Sequence, residues 1–323
     1  VGLSGVRPQT PYRSVCPSEN QVWRSSLICP FRYVNRLKED DEACAAALKD
    51  GSIFLFHRLS PLLRRPDART FSPAAFTCSG TEPERAALRT SEAVLIGCSE
   101  QNQAQFCLDV ESHSSLCVLT PCVLTPCVLT LQGQALLRWH QTSRFCGASG
   151  QPTQRNRAGS QRFCSSSSTV YYPKMSAVAV ALVSDGSRCL LGRQPTFPRG
   201  LYSALAGFCD MGETLEEALC REVAEEVGLE IQSISYSSSQ HWPFPHSSFM
   251  LGCHALVSPL SVDNSELEDA RWFTMDEITR ALQVKAPPRR GDPPIIWLPP
   301  KHALANRLIR EWVEQQRQSE GGE

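Results

Sequence analysis

Glu222, Glu225 and Glu226 stand at i, i+3 and i+4 in the run REVAEEVG, residues 221–228. On a helix turning about 100° per residue, those three carboxylates share one face. Like charges at that spacing repel, and the negative end of the helix dipole nearby adds to the cost. By spacing alone, two readings stand. One is a solvated acidic helix face, which is common. The other is a divalent-cation site, because carboxylate oxygens suit Mg²⁺ or Mn²⁺, and Mg²⁺ usually shares them with phosphates and water. Arg221 beside the cluster can pair with one carboxylate and orient it.

The elements that must carry these residues are legible. Thr214 and Glu217 form a T-x-x-E capping box, so a helix begins there. Leu215, Ala218, Val223 and Val227 give it a buried stripe, and Gly228 ends it. Upstream, SAVAVALV (176–183) and RCLLGRQ (188–194) read as strands joined by a tight Asp-Gly turn, and YSALAGF (202–208) as a third strand. Downstream, SQHWPFPHS (239–247) puts prolines around Trp242 and Phe244, which predicts a stiff, extended, aromatic loop.

The full pattern around the acids is G-x5-E-x7-R-E-U-x-E-E-x-G-U, with U an aliphatic residue. It is filled by Gly207, Glu213, Arg221, Glu222, Val223, Glu225, Glu226, Gly228 and Leu229. Chance agreement is on the order of one in 10⁹ per start point. This segment resembles the Nudix box of the Nudix hydrolases, which cleave nucleoside diphosphates linked to another moiety. The aromatic loop resembles the S-Q-P-W-P-F-P-x-S signature of the NADH pyrophosphatase subfamily, with His241 where the family usually has Pro. The resemblance implies an α/β/α sandwich around a mixed sheet, preceded by a small, mostly β N-terminal domain and a zinc ribbon.

The same resemblance carries roles to positions. Glu222, Glu225 and Glu226 hold the metals, joined by the Ala206 carbonyl and by Glu266 in NSELEDARWF (264–273). Gln240, His241, Trp242, Pro243, Phe244, Pro245, His246 and Ser247 line the substrate, and Ala305 on the last helix touches it. Phe208 and Tyr172 match the aromatics that sandwich a base, and the resemblance allows a homodimer in which the tyrosine comes from the other subunit. Catalysis falls to Glu222, Glu225, Glu226 and Arg221, with Glu225 favoured as the base. The implied reaction splits the pyrophosphate of NADH or NADPH with Mg²⁺ or Mn²⁺. Removal of an NAD cap from RNA and non-catalytic nucleotide binding are the rival readings.

Ahead of the box the expectations are coarser. FCGASG (145–150) and FCSSSS (163–168) look like the two knuckles of a zinc ribbon with half the ligands replaced, by Ser149 and Ser167. Structural zinc needs four soft ligands in a tetrahedron, and Cys146 and Cys164 are two, so no zinc is expected there. RLKEDDEACAAALKDG (36–51) reads as helix, SIFLFH (52–57) as strand, and AVLIG (93–97) with AQFCLDV (104–110) as a hairpin. CVLTPCVLTPCVLT (117–130) is a low-complexity insert whose prolines bar regular structure. APPRRGDPPIIWLPP (286–300) is a Pro-rich loop that could border the site, with Arg289 and Arg290 as candidate phosphate contacts; solvated loop charges are the favoured reading. The expected organisation is a leader at 1–36, an N-terminal domain at 37–140, the ribbon at 141–173, a Nudix domain at 174–318 and a tail at 319–323.

The bulk numbers narrow the partners. The formal charge is −1 across 323 residues, so no global basic field asks for a stable nucleic-acid partner. No apolar run is long enough for a membrane span. The first 36 residues hold Arg7, Arg13, Arg24, Arg32 and Arg36 against the single acid Glu19, which resembles an organelle transit peptide; the subfamily's mitochondrial members fit it best. Fifteen cysteines in a long chain without a secretory signal or regular spacing point to reduced thiols, with Cys189, Cys209, Cys220 and Cys253 expected inside.

Overall fold

A computed structural model describes residues 28–64, 72–77, 89–99, 101–110, 128–244, 247–258, 267–284 and 295–320. The leader up to residue 27, the insert over 117–127, Pro245, His246, Glu266, Arg289 and Arg290 lie outside the described residues. The chain divides into two compact units, one through Tyr171 and one from Tyr172.

The first unit opens with α1 (Ile28–Glu39) and α2 (Asp41–Asp50). The sequence suggests one helix over 36–51, but the chain breaks at Asp40, whose side chain caps α2 by accepting from Ala43 N. Gly51 ends α2 at φ −75°, so its value is not a left-handed turn. A Cβ there would lie 2.9 Å from the Ala47 and Ala104 carbonyl oxygens, so it is the close approach that requires glycine.

Five strands follow: β1 (Ser52–His57), β2 (Ser60–Pro61), β3 (Leu63–Arg64), β4 (Ser72–Pro73) and β5 (Ala75–Thr77). The hairpin expected from the sequence is present as β6 (Val94–Cys98) and β7 (Ala104–Asp109), with a register shift between Leu95 and Gly97. The main sheet runs β2-β1-β7-β6, with β5 on β1 and β1 parallel to β7. Its core gathers Ile53, Leu55, Phe106 and Leu108 against Leu37, Cys44 and Leu48 of the helices. Next comes α3 (Val128–Thr142), which the sequence reading did not anticipate. It starts two residues after Pro126, in keeping with proline's exclusion from helix interiors.

The ribbon is a three-stranded antiparallel sheet of β8 (Gln154–Arg155), β9 (Arg162–Cys164) and β10 (Thr169–Tyr171). Its knuckles meet as expected. Cys146 Sγ lies 3.2 Å from Ser167 Oγ and 3.1 Å from Tyr171 OH, while Ser149 Oγ lies 3.3 Å from Cys164 Sγ. Hydrogen bonds from Ser149, Ser167 and Tyr171 pull the Cys146 thiol down to about 5.

The second unit is built on β11 (Ser176–Ser184). Strands β12 (Cys189–Arg193) and β13 (Leu205–Phe208) pair with it antiparallel, and β15 (Ser248–Val257) pairs with it parallel. Strand β14 (Ile231–Trp242) flanks β15, and β16 (Asp269–Phe273) flanks β12, giving the mixed order β14-β15-β11-β12-β16. Side chains alternate across a strand, and β11 is apolar on both faces. Ala179, Ala181 and Val183 pack on Ala218, Leu219 and Val223 of α4 (Leu215–Val227). Val178, Val180 and Leu182 pack on the other side, against α5 (Met275–Ala281) and against Leu308, Ile309 and Trp312 of α6 (Leu304–Glu320). The result is the α/β/α sandwich. Cys189 and Cys253 are buried as expected, but Cys209 is only half-buried and Cys220 is exposed, because it falls off the apolar stripe of α4.

His140, near the end of α3, is a built-in acid sensitivity of the first unit. Its Nε2 lies 2.9 Å from Gly159 O, and its Nδ1 lies 3.0 Å from Arg162 Nη1. A guanidinium can only donate, so Nδ1 accepts and the ring is neutral. Burial, together with Arg155 and Arg162 nearby, pulls its pKa from 6.5 to about 4. The unfolded chain therefore binds the extra proton between those values. The stability His140 contributes is complete above pH 6.5 and is lost as pH falls through about 4, on the order of 3 kcal/mol. Urea midpoints measured from pH 7.5 to 4 are expected to fall, and His140→Gln is expected to flatten that slope.

Candidate active site

Helix α4 is set by its ends. Thr214 Oγ1 accepts from Glu217 N at 3.2 Å, and Glu217 Oε2 accepts from Thr214 N at 2.8 Å, the reciprocal box read from the sequence. Gly228 closes the helix in the left-handed region at φ 67°. With the termini fixed, Glu222, Glu225 and Glu226 are phased toward the end of β13.

Arg221 is the hub of that junction. Its Nε and Nη2 bind Glu213 two-pronged, at 2.6 and 2.9 Å. Nη1 donates to Glu222 Oε1 and Glu225 Oε2, both at 2.9 Å. Nη2 also donates to the Phe208 carbonyl at 2.8 Å. One planar fork therefore ties the loop after β13, the strand's last residue and two carboxylates of the helix. These hydrogen bonds from Arg221, with a further one from Asp210 N, hold the Glu213 carboxyl down at about 2.

Gly207 meets the helix from the strand side. A Cβ there would lie 1.8 Å from Glu222 Cδ, so the Glu222 carboxylate occupies the volume that any other residue would fill. Glu226 is buried, at 5% exposure, and lies in the wall of a cavity of about 340 Å³. Ala206 shares that wall. In the β11–β13 pair, Cys209 N bonds Ala177 O, so by alternation 179·207 and 181·205 are the bonded pairs. The Val180·Ala206 pair is not, and the Ala206 carbonyl faces away from β11, toward the unpaired edge of β13.

These features suit a hard divalent cation: all donors are oxygen, one carboxylate is buried, and a glycine leaves the space that a second occupies. Among the described residues, no three His, Cys, Asp or Glu side chains converge closely enough to hold an ion by themselves. Glu222 and Glu225 each turn one oxygen to Arg221 Nη1. An ion at this place competes with the guanidinium for those two oxygens.

Gln240, Trp242 and Ala305 line the same cavity. Gln240 also locks β14 to α6: its Nε2 donates to His302 O at 2.6 Å, and its Oε1 accepts from Leu304 N at 2.8 Å. The aromatic loop proves to be the last turn of a hairpin, with Gln240, His241 and Trp242 still in β14. His241 Nε2 lies 2.9 Å from Ser247 Oγ and closes the loop's base, a contact proline could not make. Pro243 and Phe244 form its first residues, with Phe244 edge-on to Trp242 at 6.3 Å. Phe208 and Tyr172 are 60% and 59% exposed and are not part of the cavity wall.

Phe197, Leu201 and Trp297 form another wall of the cavity; sequence reading set the loop at 286–300 beside the site without singling out Trp297, and missed Phe197 and Leu201. Trp297 bridges to Leu201, and its Nε1 donates to Arg199 O at 3.0 Å. The Pro-rich run before it hid a strand-like contact, and only the lone tryptophan hinted at one.

This is the fold and the acidic junction of a pyrophosphate-cleaving Nudix domain, and comparison with known proteins agrees. Residues 173–292 match the NUDIX domain model, and residues 141–172 match the NADH pyrophosphatase zinc ribbon domain model. The chain is 46% identical over 329 residues to human mitochondrial NAD(P)H pyrophosphatase NUDT13, covering 90% of this chain and 92% of that one. It is 38% identical over 194 residues to the NAD-capped RNA hydrolase NUDT12 of Macaca fascicularis, covering 56% and 40%. It is 37% identical over 183 residues to the NAD-capped RNA hydrolase NudC of Mycobacterium tuberculosis, covering 55% and 58%. The chain belongs to the Nudix family, in the branch that carries the NADH pyrophosphatase zinc ribbon.

Gly207→Ala tests the junction. The clashing atoms are the far end of a flexible side chain, so the fold is expected to survive, with a melting temperature within a few degrees of the parent. The displaced Glu222 is expected to weaken Mn²⁺ binding, read by calorimetric titration, by at least about tenfold.

Proposed function

We propose that this chain is a mitochondrial, divalent-metal-dependent NAD(P)H pyrophosphatase, producing AMP, or its 2′-phosphate from NADPH, together with reduced nicotinamide mononucleotide. The observation that carries the reading is the Arg221-centred junction of Glu213, Glu222 and Glu225 beside a buried Glu226. Likeness over nine-tenths of the chain to a protein named for this activity supports it.

Glu222, Glu225, Glu226 and the Ala206 carbonyl would hold Mg²⁺ or Mn²⁺, with Glu266 joining them on the family resemblance. A divalent ion there supplies neutralisation of the pyrophosphate charge and a lowered pKa for water. The chain's own residues do the rest. Arg221 keeps Glu222 and Glu225 at fixed positions relative to β13, so that ligand geometry is set before substrate arrives. Glu225, about half exposed, stays in reach of solvent and takes the proton of the attacking water. The cavity walled by Trp242, Gln240 and Ala305 takes one end of the dinucleotide and excludes water from it. His241, Pro243, Phe244 and Ser247 shape the mouth, with Pro245 and His246 included on the resemblance alone. Phe208 and Tyr172 offer exposed aromatic faces to a base, and a second copy of the chain bringing Tyr172 would complete that stack.

The likeness to two NAD-capped RNA hydrolases makes the dinucleotide at an RNA 5′ end the second substrate to test. The measurement is chromatographic release of AMP from NADH, NADPH and NAD-capped RNA with and without Mg²⁺. Release from the free reduced dinucleotides is expected to need the metal and to fall at least about a hundredfold in Glu226→Gln. Folded protein that releases AMP from none of them overturns the assignment.

The ribbon is proposed to close without zinc, since two of its four ligand positions carry hydroxyls that already hydrogen-bond the thiols. Elemental analysis of dialysed protein is expected to find far less than one zinc per chain; a stoichiometric zinc that survives dialysis overturns this.

A further inference from the structure

The first unit contains a cleft of about 910 Å³ that the reaction does not use. It lies wholly on the near side of Tyr171 and is floored by the ends of β1 and β7, with α3 and the ribbon strands as walls. Its volume is in the range of small-molecule sites. Four guanidinium groups line it: Arg58, Arg144, Arg155 and Arg162. Two of these are half-buried in positions that structural bonds fix. Arg155 donates to Ser91 O at 2.5 Å, and Arg162 donates to Thr153 Oγ1 at 2.7 Å and Thr153 O at 2.8 Å. Desolvation and neighbouring arginines push both below the usual arginine value. Burying cations near one another is costly unless an anion joins them.

The cleft's acids offset this wall only in part: Glu92 favours the charged form of Arg155, yet burial and neighbouring arginines outweigh it. Glu92 faces Arg89, at 3.6 Å on the surface. Asp109 Oδ2 accepts from Leu59 N at 3.3 Å and Gln141 Nε2 at 3.2 Å. Asp109 Oδ1 is buried and makes no bond of full hydrogen-bond geometry among the described residues, although the Arg58 backbone N–H also favours this carboxylate's charge. That oxygen asks for a donor, while the guanidinium wall asks for an anion. The turn that presents Arg58 is held at positive φ in both central residues, 48° at Arg58 and 64° at Leu59, where such hairpins ordinarily carry Asn-Gly. The cost of that turn keeps a cation at the cleft and places Leu59 N on Asp109.

We propose that this cleft is a second ligand site, for a ribose 5-phosphate group: the phosphate set against the arginines, a ribose hydroxyl donating to Asp109 Oδ1. A carboxylate accepting from ribose hydroxyls beside a phosphate site is a recurrent way of recognising nucleotides. Planar guanidinium forks match phosphate oxygens. The apolar side chains of Leu59, Val94 and Leu137 leave room for a base without specifying one.

The test uses the full chain carrying Glu222→Gln and Glu226→Gln, in EDTA, so that the Nudix site and its metals do not contribute. Calorimetric titration with ribose 5-phosphate is expected to give saturable binding of one molecule per chain. Inorganic phosphate, lacking the hydroxyl, is expected to bind at least about tenfold more weakly. Arg144→Glu, at an exposed position whose change leaves the fold intact, is expected to weaken both ligands by at least about tenfold. Asp109→Asn is expected to weaken ribose 5-phosphate and leave inorganic phosphate unchanged. No saturable binding, or binding indifferent to Arg144→Glu, overturns the site. Equal affinity for the two probes, unmoved by Asp109→Asn, overturns the ribose assignment, and so does binding of single-stranded RNA without binding of ribose 5-phosphate. Because the Nudix glutamates are already neutralised, failure here leaves the pyrophosphatase reading untouched.

Discussion

The second unit depends on one guanidinium. Arg221 joins the loop carboxylate Glu213, the carbonyl that ends β13, and the helix carboxylates Glu222 and Glu225. Without it, Glu213, Glu222 and Glu225 would lie close together as uncompensated like charges beside Gly207. With it, Glu213, Glu222 and Glu225 share one cationic partner. The fork is not a simple neutraliser. Its two-pronged bond goes to Glu213, which is outside the acidic face of the helix, and only Nη1 reaches the helix acids. The two-pronged hold is therefore on the loop, and the single, shared one is on the two helix carboxylates.

Packing fixes where that junction sits. The two faces of β11 bury small residues toward α4 and larger ones toward α6. The alanines let α4 approach closely, which is what brings Glu222 onto Gly207. On the far side, Val178, Val180 and Leu182 pack against α6, and Gln240 ties its first turn to β14. The cavity opens between these constraints, with Glu226 as the one buried acid among the described residues of its wall. A core pattern of alternating volume in one strand thus positions both the charged junction and the apolar space next to it.

What could be read in the sequence was whatever rests on local rules. The capping box, the left-handed Gly228, the strand β11 and the hairpins follow from spacing and turn chemistry, and all are present. The acids' shared face was equally legible, because helical phase needs no tertiary knowledge. Long-range contacts were not. Trp297 meets Leu201 across a proline-rich run that carries no periodicity. The split at Asp40 hinged on a cap competing with a continuous alanine-rich pattern. Helix α3 begins at the end of a repeat whose prolines dominate the composition but stop at Pro126. In the site itself, the phase of Glu222 and Glu225 was predictable, whereas their capture by Arg221 Nη1 depends on the fold of the loop at Glu213.

The ribbon shows how a metal-site shape can persist when half its ligands are hydroxyls. Zinc binding contributes on the order of 10 kcal/mol or more to an isolated zinc-finger fold, and a Cys–Ser hydrogen bond about one. Hydrogen bonds among Cys146, Ser149, Cys164, Ser167 and Tyr171 cannot replace that contribution alone. This ribbon, however, is not isolated. Ala158 is fully buried in the core of the first unit, and its carbonyl accepts from Leu95 N at 2.9 Å. Asn156 donates to Lys38 O at 3.0 Å, Arg157 N donates to Asp41 at 2.9 Å, and Arg155 reaches Ser91 O. The loop that joins β8 to β9 is thereby sewn to α1, α2 and the edge of the main sheet. Docking on a neighbour thus adds long-range contacts to the ribbon's own hydrogen bonds.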